Sequence, residues 1–268
     1  MTDFVTSADG TSIAFDRLGD GPPVVVVGGL FCDRGRTRDL AEQLAMRLAG
    51  RFSVINYDRR GRGDSSDTAP YRVEREIEDL GALIDATGGE AVVYGHSSGA
   101  GLALRAAASG LPISRLVLHE PPYGPDDDDS VRAARELGGR VRTAIAGGRR
   151  GEAIALFMTE SGAPPDVVEA MSRDPRFLAV APTMPYDHEV MGDEERGGTI
   201  PVDLVHTVTV PTLVIAGGAS PDFFRDTATR LAQLLPDASL TTLAGHDHEA
   251  PAGVVAPVVA AHLLAPPR

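Results

Sequence analysis

The sequence predicts an α/β protein built on a doubly wound, mostly parallel sheet with an inserted helical segment. The run 23–27 is apolar and β-branched without polar alternation, as is typical of a strand buried on both faces. Strand-like and helix-like segments alternate up to about residue 120 and again after about residue 210, which implies a parallel sheet covered on both sides. Between them, helical patterns recur without a convincing strand. We therefore expect one core formed by residues 1–123 and 209–268, and a helical cap at 124–208.

The individual elements follow from turn residues and hydrophobic periodicity. An Asp9-Gly10 turn predicts an antiparallel hairpin at the start. The predicted strands are 4–5, 12–15, 23–27, 52–57, 92–94, 115–119, 211–216 and 239–243. The predicted helices are 38–48, 73–84, 98–109, 131–146, 152–159, 165–171, 222–235 and 254–264. We expect the acidic run 126–129 to form a solvated loop at the edge of the cap.

The composition excludes several functional classes. A net charge of −13 argues against a nucleic-acid surface, which needs clustered cations for phosphate contacts. No apolar run approaches the roughly 18 residues of a membrane span, and residues 1–4 lack the features of a signal peptide. Cys32 is the only cysteine, so neither a disulfide within the chain nor a thiolate metal cluster can form. We expect a soluble cytoplasmic protein with a small-molecule substrate, no membrane partner, no cofactor and no metal; the sequence carries no signal for an oligomeric state.

The strongest chemical signal is the pentapeptide Gly95–Gly99, which reads Gly-His-Ser-Ser-Gly and matches G-x-S-x-G. It follows a short apolar strand and precedes a helix of small residues. A strand-to-helix turn this sharp strains its middle residue, and glycines two positions away on either side avoid a clash. The turn projects the hydroxyl of Ser97 above the sheet and places the amide of Ser98 beside the reacting centre. We expect Ser97 to be the nucleophile and Ser98 to donate to an oxyanion.

A serine hydroxyl needs a base to remove its proton. The segment 243–249 leaves the last predicted strand, so it lies at the carboxyl edge of the sheet together with Ser97. It contains His246 and His248. We favour His248 as the base because the Gly-x-x-His pattern precedes the terminal helix, and His246 could instead orient the loop.

The loop after the strand ending at Val27 should supply the second oxyanion donor. The amide of Leu30 is our first choice and that of Phe31 the second. One such donor is typically worth about 3 kcal/mol of barrier. Residues predicted to contact the substrate are Phe31, His96, Phe157 and Tyr186. His96, inside the Gly95–Gly99 turn (the elbow), could instead be a packing residue. Packing within the cap would explain Phe157 and Tyr186 equally well.

On these residues the chain closely resembles the α/β-hydrolase family, in its branch of small cap-bearing esterases, cofactor-free haloperoxidases and C–C bond hydrolases. The resemblance runs from about residue 10 to 265. It rests on Gly28-Gly29, on the elbow around Ser97, on His248 in the expected order, on 211–217, and on the loop Asp58–Ser65, which is similar to the family's D-x-R-G-x-G-x-S. It implies a Ser-His-acid catalytic triad, and it implies that Asp58 and the arginines of that loop brace the site.

The chain departs from the family at the acid. The family usually has Asp after the strand 211–216, where this chain has Ser220. Glu120, at the end of the strand 115–119, is the favoured substitute, because some relatives, including certain haloalkane dehalogenases, have their acid at that strand end. Asp222 is the alternative acid, and a dyad without an acid is the third possibility.

These residues predict a serine hydrolase that acts on an ester, thioester, lactone or related carbonyl of a small molecule through an acyl-enzyme. A serine nucleophile excludes the chemistry of epoxide hydrolases and dehalogenases, which needs a carboxylate at that position. Two alternatives stay open. One is a non-hydrolytic biosynthetic catalyst on the same scaffold, such as a cyclase or a C–C lyase; the other is a ligand-binding pseudoenzyme.

Overall fold

A computed structural model describes residues 2–265 and contains an eight-stranded sheet in the order β1-β2-β4-β3-β5-β6-β7-β8. The strands are β1 Thr2–Thr6, β2 Ser12–Leu18, β3 Pro23–Val27, β4 Ser53–Tyr57, β5 Ala91–His96, β6 Ile113–His119, β7 Thr212–Gly217 and β8 Ala238–Leu243. β2 runs antiparallel to β1 and β4, and the other neighbours are parallel. The predicted fold class is confirmed.

Helices flank this sheet and fill the segment between β6 and β7. The helices of the sheet core are α1 Arg34–Arg47, α2 Val73–Thr87, α3 Ser98–Ala108, α11 Asp222–Leu234 and α12 Ala252–Leu264. Those between β6 and β7 are α4 Asp128–Ala146, α5 Arg150–Glu160, α6 Pro165–Arg173, α7 Pro175–Val180, a 3-10 turn Ala181–Thr183, α8 Met184–Met191, α9 Asp193–Arg196 and α10 Val202–Val205. Over residues 2–265, no helix has both the length and the apolar character needed to cross a bilayer.

The central strands are buried on both faces because successive side chains of a strand point to opposite sides. In β3, Val25 and Val27 belong to the core cluster that includes α2, α3 and α11, whereas Val24 and Val26 belong to the cluster that includes α1 and α12. All five residues of β3 are buried. The uninterrupted apolar run in the sequence reflects these two cores.

The helices between β6 and β7 are here called the insert (residues 128–205). A third hydrophobic cluster lies among α4 to α8, whereas Val205 of α10 belongs to the first core cluster. The prediction of an acidic loop at 126–129 was wrong for Asp128 and Asp129, which are helical. Asp127 caps α4 by accepting a hydrogen bond from the amide of Ser130 at 2.9 Å, and Asp128 and Asp129 form the first helical turn. Carboxylates are favourable there because the amide groups at a helix N-terminus are unpaired and carry partial positive charge.

The division into a core and a cap at 124–208 stays a prediction.

One residue makes the turn between β5 and α3. β5 ends at His96 and α3 begins at Ser98, and Ser97 between them has φ 56° and ψ −130°. A Cβ added to Gly95 would lie 2.6 Å from the Cα of Ala100, and one added to Gly99 would lie 2.8 Å from the carbonyl oxygen of Gly28. These neighbours are backbone atoms with little freedom to move, so the turn requires glycine at both positions.

Gly99→Ala is expected to lower the free energy of unfolding by about 2 kcal/mol or more, because the methyl group would force β3 and α3 apart. Gly139→Ala is the matched control, since Gly139 lies inside α4 and an added Cβ would have no neighbour within 4 Å. The control should be neutral or stabilising by up to about 1 kcal/mol through its helix propensity. Urea unfolding of both variants measures the difference, and equal midpoints would contradict this account of the turn.

Candidate active site

The site is organised around a contact between a histidine and a buried carboxylate. Nδ1 of His248 lies 2.8 Å from Oε2 of Glu120, whose side chain is fully buried. The other carboxylate oxygen of Glu120 accepts a hydrogen bond from the amide of Gly217 at 2.6 Å. With a proton on Nδ1 directed at Glu120, the Nε2 atom of His248 is left as an acceptor. This is the arrangement that a general base requires.

Glu120 carries its charge despite being buried. Burial alone raises the pKa of this carboxyl, but the hydrogen bonds from His248 and from the amide of Gly217 oppose burial, and the pKa lies below its ordinary value of 4.5. Glu120 is therefore ionised at neutral pH and can stabilise a cationic His248. Ser220, at the position where an aspartate was expected, lies in the loop after β7, and its buried hydroxyl has no hydrogen-bond partner among the described residues.

The alternative acid is placed elsewhere. Asp222 is the first residue of α11, its side chain is 86% exposed, and it pairs with Arg225 three residues later on the same helix. Its position in the first turn suits a negative charge because of the helix dipole. The structure thus brings Glu120, and not Asp222, to His248.

Ser97 and the loop after β3 meet at the carboxyl edge of the sheet. The amide of Ser97 donates to the carbonyl of His119 at 2.9 Å, which attaches the turn to the end of β6. A Cβ added to Gly29 would lie 2.7 Å from the Cβ and 3.3 Å from the Oγ of Ser97. The absence of a side chain at Gly29 therefore lets the loop backbone approach the serine.

A tight turn positions the predicted oxyanion donors of this loop. The amide of Cys32 donates to the carbonyl of Gly29 at 3.1 Å, with Leu30 and Phe31 at the centre. Phe31 has φ 66°, as the third residue of a type II turn requires. On the opposite side, the amide of Ser98 is the first of α3 and has no partner within the helix. The roles of Leu30 and Ser98 as donors stay predictions.

Backbone strain coincides with these positions. Within residues 2–265, the non-glycine residues with positive φ are Phe31, Ser97 and Glu120. Each such conformation costs about 1–3 kcal/mol and persists only where surrounding contacts enforce it. All three were singled out from the sequence for their chemistry. The strain at Ser97 was predicted from the sharp turn, whereas the positive φ of Phe31 and Glu120 was not, because it depends on tertiary contacts.

Two further rings surround the imidazole of His248. Nε2 of His96 donates to the main-chain carbonyl of His248 at 3.0 Å, and the two ring centroids are 4.6 Å apart. Burial and the proximity of His248 lower the pKa of His96 to about 3, so His96 is neutral and adds no charge beside the base. The ring of Phe224 stacks on the ring of His248, with the two centroids 4.5 Å apart. Sequence reasoning missed Phe224; its apolar character in the first turn of α11, just after Ser220, was the available signal.

The predicted substrate-contacting aromatics divide into two groups. The ring of Phe31 makes edge-to-face contacts with Phe157 at 5.9 Å and with Phe177 at 5.4 Å, so the loop after β3 packs on the insert. Tyr186 instead stacks on Tyr71 at 3.6 Å and donates to a carboxylate of the core loop. The structure brings Phe31 and Phe157 together and directs Tyr186 to a different contact.

Comparison with known proteins gives consistent matches. The family model described as "Alpha/beta hydrolase family" matches residues 24–260. The crystal structure of an alpha/beta hydrolase from Sphaerobacter thermophilus DSM 20745 is 51% identical, covers 97% of this chain and 100% of that chain, and has a TM-score of 0.85. The 2-(acetamidomethylene)succinate hydrolase of Mesorhizobium japonicum is 26% identical over 86% of this chain and 82% of its own length. Polyketide synthase ThaQ of Burkholderia thailandensis is 31% identical over 87% of this chain, which spans only 11% of that protein.

Glu120→Gln tests the charge state of the buried carboxyl. Since the folded-state pKa of Glu120 is depressed, its ionisation stabilises the fold above pH 4.5, and this contribution is lost as the pH falls through the lowered folded value. The free energy of unfolding of the wild type should therefore exceed that of Glu120→Gln by more at pH 7 than at pH 4. Urea titrations across this range measure the gap.

Asp222→Asn is the control for this titration, because its carboxyl is exposed and pairs with Arg225 at the surface. The change in its difference from the wild type between pH 7 and pH 4 should be much smaller than that of Glu120→Gln. A gap for Glu120→Gln that widened on acidification would show that burial dominates and that Glu120 is protonated in the folded protein.

Proposed function

The chain belongs to the alpha/beta hydrolase family, and on that premise we propose that it is a serine hydrolase that cleaves an ester, thioester, lactone or related carbonyl of a small molecule through an acyl-enzyme on Ser97. The contact between His248 and the buried Glu120 is the observation that carries this proposal. Family membership supports hydrolysis, and the contact supports a base that is oriented to serve a serine.

In the proposed first step, Nε2 of His248 takes the proton of Ser97 as Oγ attacks the carbonyl carbon. The carbonyl electron pair moves onto oxygen, where the amides of Leu30 and Ser98 hold the negative charge. Collapse of this intermediate expels the alcohol or thiol, which receives the proton from His248. In the second step His248 activates a water molecule, which releases the acid and restores Ser97.

Glu120 and His96 tune the base in this mechanism. The ionised Glu120 keeps the proton on Nδ1 and stabilises the imidazolium of His248 without taking its proton. Because His96 is neutral, no second cation opposes the charge that forms 4.6 Å away. A buried carboxylate in contact with the ring and a neutral imidazole beside it favour proton transfer to His248.

The apolar surface above the loop supports a substrate with an apolar portion. Leu30 and Phe31 pack against the hydrophobic cluster of the insert, which includes Phe157 and Phe177. We propose that this surface contacts the acyl or leaving group. The name of the Mesorhizobium japonicum relative mentions an acetamido compound, so an activated amide belongs in the substrate panel.

The non-hydrolytic alternative is not favoured by a specific contact. It depended on the missing aspartate after β7, and the contact between His248 and Glu120 supports Glu120 as the acid in its place. The pseudoenzyme alternative has no feature in its favour either, since the serine, the histidine and the carboxylate are all present.

A fluorophosphonate probe tests the nucleophile. We expect stoichiometric modification of the wild type, mapped to Ser97 by peptide mass spectrometry, and none in Ser97→Ala. The wild type should hydrolyse p-nitrophenyl esters of short to medium acyl chains. Glu120→Gln should lower kcat about a thousandfold or more, because an unoriented base loses about four orders of magnitude in the serine-protease example.

Asp222→Asn is the matched control, with kcat expected within about twofold of the wild type, since its carboxylate faces solvent. Labelling that persists in Ser97→Ala would remove the nucleophile assignment. An Asp222→Asn loss as large as that of Glu120→Gln would remove the acid assignment.

A further inference from the structure

A carboxylate of the insert contacts the turn that contains Ser97 and the loop after β4 at the same time. Asp187, on α8, is 2% exposed. Its Oδ1 accepts hydrogen bonds from the hydroxyl of Ser98 at 2.7 Å and from Arg59 at 2.6 Å, and its Oδ2 accepts one from Arg62 at 2.5 Å. All three donors belong to the sheet core. Burying a carboxylate is costly unless it is paired and hydrogen-bonded, and here each oxygen has a charged partner.

Arg62 extends this contact to the predicted oxyanion turn. Its Nη1 donates to the carbonyl of Gly29 at 2.7 Å and to that of Cys32 at 3.2 Å, the two residues that flank Leu30 and Phe31. Its Nε donates to the hydroxyl of Thr183 in the insert at 2.9 Å. Arg62 therefore holds both ends of the turn that contains the proposed oxyanion donors.

The charges of this network are balanced. Arg59 makes two hydrogen bonds to Glu76, at 2.7 and 2.6 Å, in addition to its contact with Asp187. Among the residues that the structure describes, Asp187 is the carboxylate paired with Arg62. Removal of its charge would leave a buried guanidinium without a counter-ion. Burial raises the pKa of Asp187, but Arg59, Arg62 and the Ser98 hydroxyl outweigh burial and keep the pKa below its ordinary value, so the carboxylate is charged.

We infer that Asp187 is a positioning residue that sets the distance between the two amides proposed to hold the oxyanion. It fixes the amide of Ser98 by binding that residue's own side chain, and it fixes the amide of Leu30 through Arg62 and the carbonyls on either side. The insert thereby completes a catalytic geometry that the sheet core provides only in part. The catalytic consequence rests on the proposed function; the structural consequence does not.

The loop itself provides a matched control. Arg60, adjacent to Arg59, makes a buried pair with Asp79 at 2.8 and 2.7 Å, and Asp79 is 1% exposed. Arg60 also pairs with Asp9 at 2.9 Å, so it keeps a counter-ion in Asp79→Asn. Asp79 contacts neither the turn at 29–32 nor Ser98 in the described structure. Asp187→Asn and Asp79→Asn thus each neutralise one buried carboxylate paired with an arginine of the same loop, and only the first touches the oxyanion geometry.

Asp187→Asn should lower kcat for p-nitrophenyl ester hydrolysis about a hundredfold, with KM within about threefold, since a displacement near 1 Å at the reacting centre can have an effect of that size. Asp79→Asn should keep kcat within about threefold at temperatures where both variants are folded. Ser98→Ala, which removes one of the three donors, should give an intermediate loss and covers the case in which Asp187→Asn does not fold.

Hydrogen exchange gives a readout that does not depend on activity. Amides 29–32 and 98–100 should exchange faster in Asp187→Asn than in the wild type. In Ser98→Ala only amides 98–100 should exchange faster, and in Asp79→Asn neither segment should change. If the wild type neither hydrolyses esters nor reacts with the fluorophosphonate, the proposed function fails, and this exchange pattern still decides the positioning role. A folded Asp187→Asn with wild-type kcat and exchange, or an equal loss in Asp79→Asn, would overturn the inference.

Discussion

The site depends on the interaction between the imidazole of His248 and the carboxylate of Glu120. The two residues are 128 positions apart, and three adjacent strands bring them together. β6 ends immediately before Glu120, β7 supplies the amide of Gly217 that binds its second oxygen, and β8 ends before the loop that contains His248. A parallel sheet directs the carboxyl ends of these strands to one edge, so the interaction follows directly from the topology.

The same edge also fixes the strained conformations of the site. The amide of Ser97 is bound by the carbonyl of His119, and the amide of Glu120 by the carbonyl of Ile215. These contacts hold two left-handed residues at the ends of neighbouring strands, where each side chain leaves the sheet plane toward the site. The rigid sheet thus maintains backbone conformations that an isolated loop would not keep.

Much of this arrangement could be predicted from local sequence. The apolar run at 23–27 and the Gly95–Gly99 pentapeptide specify a buried strand and a one-residue turn, because their constraints are short-range. The choice of Glu120 over Asp222 needed more than local sequence, since it combined the place of Glu120 at a strand end with the resemblance to relatives that have their acid there. The structure puts the two carboxyls in correspondingly different environments.

Other features could not be predicted because they depend on contacts between distant segments. Nothing near Asp187 in the sequence indicates that it meets Arg62, since the two are 125 positions apart and α8 must first pack on α3. The same holds for His96, whose donor contact to the carbonyl of His248 depends on how the last loop folds back. Asp128 and Asp129 belong to a helix because Asp127 caps its N-terminus and the partial positive charge of that end favours carboxylates in the first turn.

Nitrogen-15 and proton NMR of the imidazole of His248 tests the central interaction most directly. The account predicts that the neutral ring carries its proton on Nδ1. This proton should be protected from exchange, shifted downfield by its bond to the carboxylate, and lost or shifted upfield in Glu120→Ala. A neutral ring protonated on Nε2, or an Nδ1 resonance unchanged in Glu120→Ala, would contradict it.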